Sequence, residues 1–155
     1  MVDPTAGSSV GRAVVSWLPA ALWAALIFLL SAQSEPPDPA GLAGTPGWSQ
    51  AAHFGLYLVL GALLYIAFRG AGCRVRGAGE GSGSGVQGAG GWKQPMTGAY
   101  LLALAAGALY AATDEVHQYF VPMRQADVLD WIVDVAGVLA GALAVLALER
   151  RRAKL

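Results

Sequence analysis

Asp114, Glu115, His117 and Gln118 fall within five consecutive positions, and Arg124, Asp127, Asp130 and Asp134 follow closely. The other histidine, His53, stands far upstream with Tyr57 one helical turn beyond it. An imidazole beside carboxylates can move protons, one carboxylate orienting the ring while the other nitrogen acts as base or acid. His117 with Asp114 or Glu115 is the pair placed for that work. Two histidines with Asp and Glu also form a set that Zn²⁺, Mn²⁺ or Fe²⁺ accepts. No HExxH or comparably tight spacing accompanies them, so a divalent metal is not the favoured reading. Arg124 has a planar fork suited to a carboxylate or phosphate. Pairing internally with Asp127 or Asp130 is its other role. Tyr65, Tyr110 and Tyr119 read as interfacial aromatics.

These groups must be positioned by apolar elements. Of 155 residues, 55% are hydrophobic and 13% charged, against roughly 25% charged in an ordinary soluble domain. Ten basic and ten acidic residues cancel, leaving no surplus to neutralise a nucleic-acid backbone. A single cysteine, Cys73, excludes an internal disulfide framework and a cysteine-based zinc site. The class that remains is an all-α integral membrane bundle.

A spanning helix needs about 20 mostly apolar residues. Four stretches qualify: 13–32, 51–68, 96–113 and 128–148. Residues 1–12 precede them as a cytoplasmic leader and 149–155 follow as a basic tail. The first run is too long for a secretory signal core, so it reads as an uncleaved anchor. Proline marks the breaks, with Pro36, Pro37 and Pro39 after the first span, Pro95 opening the third and Pro122 before the fourth. Residues 70–91 hold ten of the 21 glycines, which is linker chemistry. The GxGxxG string Gly83–Gly88 lies there without the strand and helix that a dinucleotide site requires.

Lys and Arg set the orientation. Arg12, then Arg69, Arg74, Arg76 and Lys93, then Arg150, Arg151, Arg152 and Lys154 alternate with connections that carry none or only Arg124. Both termini and the glycine-rich loop are therefore expected in the cytoplasm. His53, the Asp114–Gln118 block and the Arg124–Asp134 block are then expected together at the outer face. At about 100° per residue, Asp127, Asp130 and Asp134 lie within roughly 60° of one another. Gly137 and Gly141 continue that stripe, a pattern that lets helices approach closely. Ala103, Gly107, Tyr110, Asp114 and His117 form a second stripe, and His53, Tyr57 and Leu64 a third.

A carboxylate near mid-bilayer costs roughly 2.5–3.5 kcal/mol. Asp134 must meet that cost through a partner or a wet cavity, and His53, His117 and Arg124 are the available partners. Two readings stay open: a functional polar pocket, and a structural knot that fixes helix register.

The string from Tyr110 to Arg124, with Asp130, Asp134, Gly137 and Gly141, resembles the VanZ-like family. So do Ala52–Tyr57 and Ile27–Ser34. Three positions depart from the family pattern: Gln50, where members often carry Lys, Met123, where they often carry Gly, and Asp127, where a small hydroxyl residue is common. The resemblance implies a small four-helix protein of the bacterial cytoplasmic membrane. It implies an envelope role linked through one member to teicoplanin resistance, with a pocket for an envelope or glycopeptide-related ligand. A non-catalytic assembly module is the alternative. An ion-coupled transporter is disfavoured, since four short helices show no inverted repeat. Membrane lipid is an expected partner and nucleic acid is not; the sequence leaves the oligomeric state open.

Overall fold

The computed structural model describes residues 6–34, 41–42, 45–70, 95–124 and 126–154. The glycine-rich segment with Cys73, and the proline run after the first span, lie outside these. The described residues form four α-helices and no strand: α1 (Ala6–Ser31), α2 (Trp48–Gly70), α3 (Pro95–Tyr119) and α4 (Val128–Arg152). All four expected helices form.

Their limits follow hydrogen bonding rather than hydropathy. Apolarity ends at Thr113, but nothing in Asp114–Tyr119 breaks a helix, so α3 continues through the polar block. Asp114, Glu115, His117 and Gln118 thus ride on the last turns of α3 instead of following it. The leader is also partly helical, because α1 begins at Ala6. Asp127 lies outside the helical stripe expected for it: it is the N-cap of α4, with extended φ −128 and ψ 123, and accepts a hydrogen bond from the Leu129 N–H.

The main seam joins α2 and α4, which run parallel: His53 meets Asp134 near their starts, and Arg69 pairs with Glu149 near their ends. Small residues make the close approach possible. A Cβ on Gly137 would meet the Phe54 carbonyl oxygen at 2.7 Å, and one on Gly61 or Gly141 would collide with the backbone of Val138 or Leu58. Ala140 and Ala144, beside this stripe, are half-buried and exposed. From α3, Ala103, Gly107 and Ala111 are buried. The Trp131 indole of α4 donates to the Ala108 carbonyl of α3 at 3.2 Å. α1 packs on α2 and α3, and makes no contact with α4 among the described residues. Its links are the Trp23 indole to the Leu56 carbonyl at 2.9 Å and the Tyr110 hydroxyl to the Ala24 carbonyl at 2.6 Å. Tyr110 therefore ties α3 to α1 inside the bundle rather than serving as an interfacial aromatic.

Among the described residues, α2 and α4 are long and apolar enough to cross a membrane. The described apolar part of α1, Val15–Ser31, is shorter, and α3 does not meet the criterion. Glycine and the acidic last turns dilute the apolarity of α3.

After α3 the chain turns over Val121–Pro122–Met123–Arg124, closed by the Arg124 N–H on the Val121 carbonyl at 3.2 Å. Proline second and a positive φ third is the type II pattern, which favours glycine third. Met123 holds that place with φ 64 and is 89% exposed. Left-handed backbone costs a side-chain-bearing residue roughly 1–2 kcal/mol, and an exposed side chain has little contact to lose. Met123→Gly is therefore expected to raise the melting temperature of the detergent-purified protein. An unchanged or lower value would show that the methionine contacts something that repays the strain.

Candidate functional site

One end of the bundle gathers polar side chains from all four helices in two adjoining groups. The first centres on Asp114, buried on α3. Its Oδ2 accepts three hydrogen bonds: from the Ser31 hydroxyl of α1 at 2.8 Å, the Tyr57 hydroxyl of α2 at 3.1 Å, and the Gln118 amide at 3.2 Å. Gln118 reaches Asp114 because residues four apart lie over one another on a helix. One oxygen thereby ties three helices together. Its twin, Oδ1, is buried without a partner among the described residues.

The second group joins α2, α3 and α4. The His53 ring nitrogen Nδ1 lies 3.1 Å from Asp134 Oδ1, and both residues are buried. Asp134 is 0% exposed, and its Oδ2 has no partner among the described residues. Glu115 completes the group. Its Oε2 accepts the Asp127 backbone N–H at 2.8 Å, which fixes where α4 starts relative to α3, while Oε1 is buried with no partner among the described residues. His53, Glu115 and Asp134 each offer one metal-ligand atom, and these atoms lie within 4.8 Å of one another.

The remaining candidates are placed around these groups. Asp130 Oδ1 accepts the Gln50 amide at 3.2 Å. The contact at this position is therefore made by a neutral donor. Asp127 is exposed, its side chain engaged in capping. Arg124 is half-buried with its Nε unpartnered, and forms no ion pair with Asp127 or Asp130 among the described residues. His117 stacks on Phe28 of α1, with ring centroids 4.4 Å apart and 28° between planes, and its Nε2 is buried and unpartnered. No hydrogen bond joins His117 to Asp114 or Glu115 among the described residues. The base–orienter contact expected from their spacing is not formed, because Gln118 takes the place over Asp114 while His117 turns to α1.

A cavity of about 220 Å³ opens beside Glu115, lined by Ala112, Ala126, Asp127, Val128 and Trp131. Its walls are mostly apolar, and Glu115 belongs both to it and to the buried group. The arrangement can hold a cation between carboxylates and imidazole, or present Arg124 and His117 to an anion.

Sequence reasoning assigned no role to Ser31. A lone hydroxyl ending an apolar run on the same side as the carboxylates is the signal that could have found it. At the opposite end, the Tyr65 hydroxyl donates to Glu149 Oε2 at 3.0 Å beside Arg69, another link the sequence did not announce.

Residues 16–149 match the family model described as VanZ/LLP1. No curated protein and no solved structure matches this chain.

Proposed function

Because this chain belongs to the VanZ/LLP1 family, we propose that it is a four-span protein of the bacterial cytoplasmic membrane whose polar end faces outward. There it binds an envelope or glycopeptide-related ligand. The carrying observation is the set of buried polar atoms at that end with no partner among the described residues: Glu115 Oε1, His117 Nε2, Arg124 Nε and Asp134 Oδ2. Buried polar groups are normally hydrogen-bonded, so several orphans in one place point to a ligand that completes them. Arg124 suits the anionic part of such a ligand.

Membrane embedding by all four helices is supported by their outer faces. Val15, Leu22 and Leu29 of α1, and Leu101, Leu109 and Val116 of α3, are more than half exposed. Apolar faces of that extent fit lipid better than water. A helix of 25 residues is about 37 Å long, enough for a hydrocarbon core of about 30 Å. Arg150, Arg151 and Arg152 end α4 away from the acidic end, which agrees with a cytoplasmic tail.

A structural reading has its own observation, the three donors on Asp114, and we assign that half of the cluster to helix register. Two measurements test the proposal. Native Cys73 is expected to resist an impermeant thiol reagent added outside intact cells; labelling from outside overturns the orientation. Expression in a teicoplanin-susceptible host is expected to raise the drug concentration needed to stop growth, and Arg124→Ala to remove that gain without lowering membrane abundance. Equal susceptibility with and without the protein overturns the glycopeptide reading.

A further inference from the structure

The buried carboxylates at the polar end lack a cation to balance them. Among the described residues the ion pairs are His53–Asp134 and Arg69–Glu149, and the second lies at the other end of the bundle. Asp114, Glu115 and Asp134 are all buried. Arg124 reaches none of them as an ion pair. An imidazole shared with one carboxylate is the whole of the local compensation, although an unbalanced buried charge is costly.

We propose that His53, Glu115 and Asp134 form a site for one divalent first-row metal ion, of the Zn²⁺ or Mn²⁺ class. The proposal goes beyond the ligand reading above and does not depend on which face of the membrane the site meets. Three observations carry it. The three side chains come from α2, α4 and the last turns of α3, and their ligand atoms lie within 4.8 Å of one another. Each carboxylate keeps one buried oxygen with no partner among the described residues, Glu115 Oε1 and Asp134 Oδ2, and Asp134 is wholly enclosed. Glu115 also lines the cavity of about 220 Å³, so one of the three ligands borders open space.

The donor chemistry fits. Two carboxylates and a neutral imidazole balance a dication, so the loaded site carries no net charge into an apolar surrounding. One nitrogen and two oxygens suit Zn²⁺ or Mn²⁺ better than Mg²⁺, which prefers oxygen alone and keeps its waters. Metal–ligand bonds of about 2.0–2.2 Å bring ligand atoms to about 3.4 Å apart in a tetrahedral site. The spread seen here is wider, so the three side chains must draw in around the ion. Three protein ligands leave a position open, the arrangement of metal sites that bind a further molecule. Three of the observed hydrogen bonds position the set. Asp134 Oδ1 orients the His53 ring, the Asp127 N–H anchors Glu115 through Oε2, and Gln50 holds Asp130 aside.

The test uses the full chain purified in detergent, stripped with a chelator and dialysed against Zn²⁺, Mn²⁺ or Mg²⁺ in turn. About one Zn²⁺ or Mn²⁺ per chain is expected, with Mg²⁺ bound far more weakly. Co²⁺ in the same site is expected to show visible d–d absorption. His53→Gln and Asp134→Asn are each expected to lower Zn²⁺ affinity by about two orders of magnitude, while Glu149→Gln, at the other end, binds as the wild type does. Glu115→Gln covers the case in which the buried variants fail to fold, because its amide oxygen still accepts the Asp127 N–H. Wild-type protein that binds none of the ions, or a folded Glu115→Gln that binds Zn²⁺ unchanged, overturns the site. The bound ion is read directly, so a negative result removes the metal and leaves the susceptibility experiment to judge the ligand reading.

Discussion

Asp134→Leu is expected to accumulate in membranes close to the wild-type level while losing both the bound metal and any protection against glycopeptide. Two opposing magnitudes lead to this. Removing a carboxylate from a membrane helix recovers at most about 2.5–3.5 kcal/mol of insertion cost. Against that, His53 loses its one hydrogen-bonded carboxylate, and an unsatisfied buried neutral group costs roughly 1–3 kcal/mol. The two nearly cancel because the partner is an imidazole, which can shed its charge. An arginine opposite Asp134 would be stranded as a buried charge at roughly 3–5 kcal/mol, and no arginine pairs with it here. Asp134→Asn keeps an acceptor for His53 and removes only the charge, so it should match the wild type in abundance and the leucine variant in function. Quantitative immunoblotting of membranes, run beside metal analysis and drug susceptibility, checks all three. Collapse of abundance in both variants would assign Asp134 to helix register. Abundant and fully active variants would leave it without a role.

Alanine at Gly141 is expected to unfold the bundle, whereas alanine at Gly55 is expected to leave it intact or firmer. At Gly141 the added methyl would collide with the Leu58 carbonyl and lie 2.9 Å from the Ala62 nitrogen, both backbone atoms. Side chains can turn aside from such a contact, but a helix backbone cannot. α2 and α4 would have to separate along a seam that also packs Gly61 on Val138 and Gly137 on Phe54. Overpacking costs roughly 1–3 kcal/mol when side chains absorb it, so this backbone clash should cost about 3 kcal/mol or more. At Gly55 nothing lies within 4 Å of the added methyl, and alanine is favoured over glycine in a helix by about 0.8–1.0 kcal/mol. Thermal unfolding of the two variants in one detergent compares them. Equal melting temperatures would mean that the α2–α4 seam is looser than the structure has it.

Much of the framework was legible because it depends on periodicity. The apolar runs located all four helices, and the stripes through His53–Leu64 and Gly137–Gly141 identified faces that are buried. His53 and Asp134 meet as loop order and charge placement implied. What escaped depends on local geometry. Hydropathy ends α3 at Thr113, yet the helix ends where backbone hydrogen bonding does, at Tyr119. That extension turns Gln118, not His117, toward Asp114. Asp127 was counted on the α4 stripe by assuming helical angles, but a capping residue has extended ones. Ser31 and Gln50 act through single hydrogen bonds to carboxylates about 80 positions away in sequence. No spacing rule reaches so far, and only the packed helices show which short polar side chain meets which acid.

The parallel pairing of α2 with α4 also orders the chain's assembly. A ribosome releases α2 well before α4, and the segment between them includes the whole of α3. Until α4 arrives, His53 has no Asp134, Gly61 has no Val138, and Arg69 has no Glu149. α1 and α3 can reach α2 sooner, through Trp23, Ser31, Tyr57 and Asp114. The three hydrogen bonds on Asp114 come from α1, α2 and α3 alone, whereas the carboxylate that meets His53 is on α4. The second polar group exists only where α4 has joined α2, so one pairing both locks this seam and creates the site.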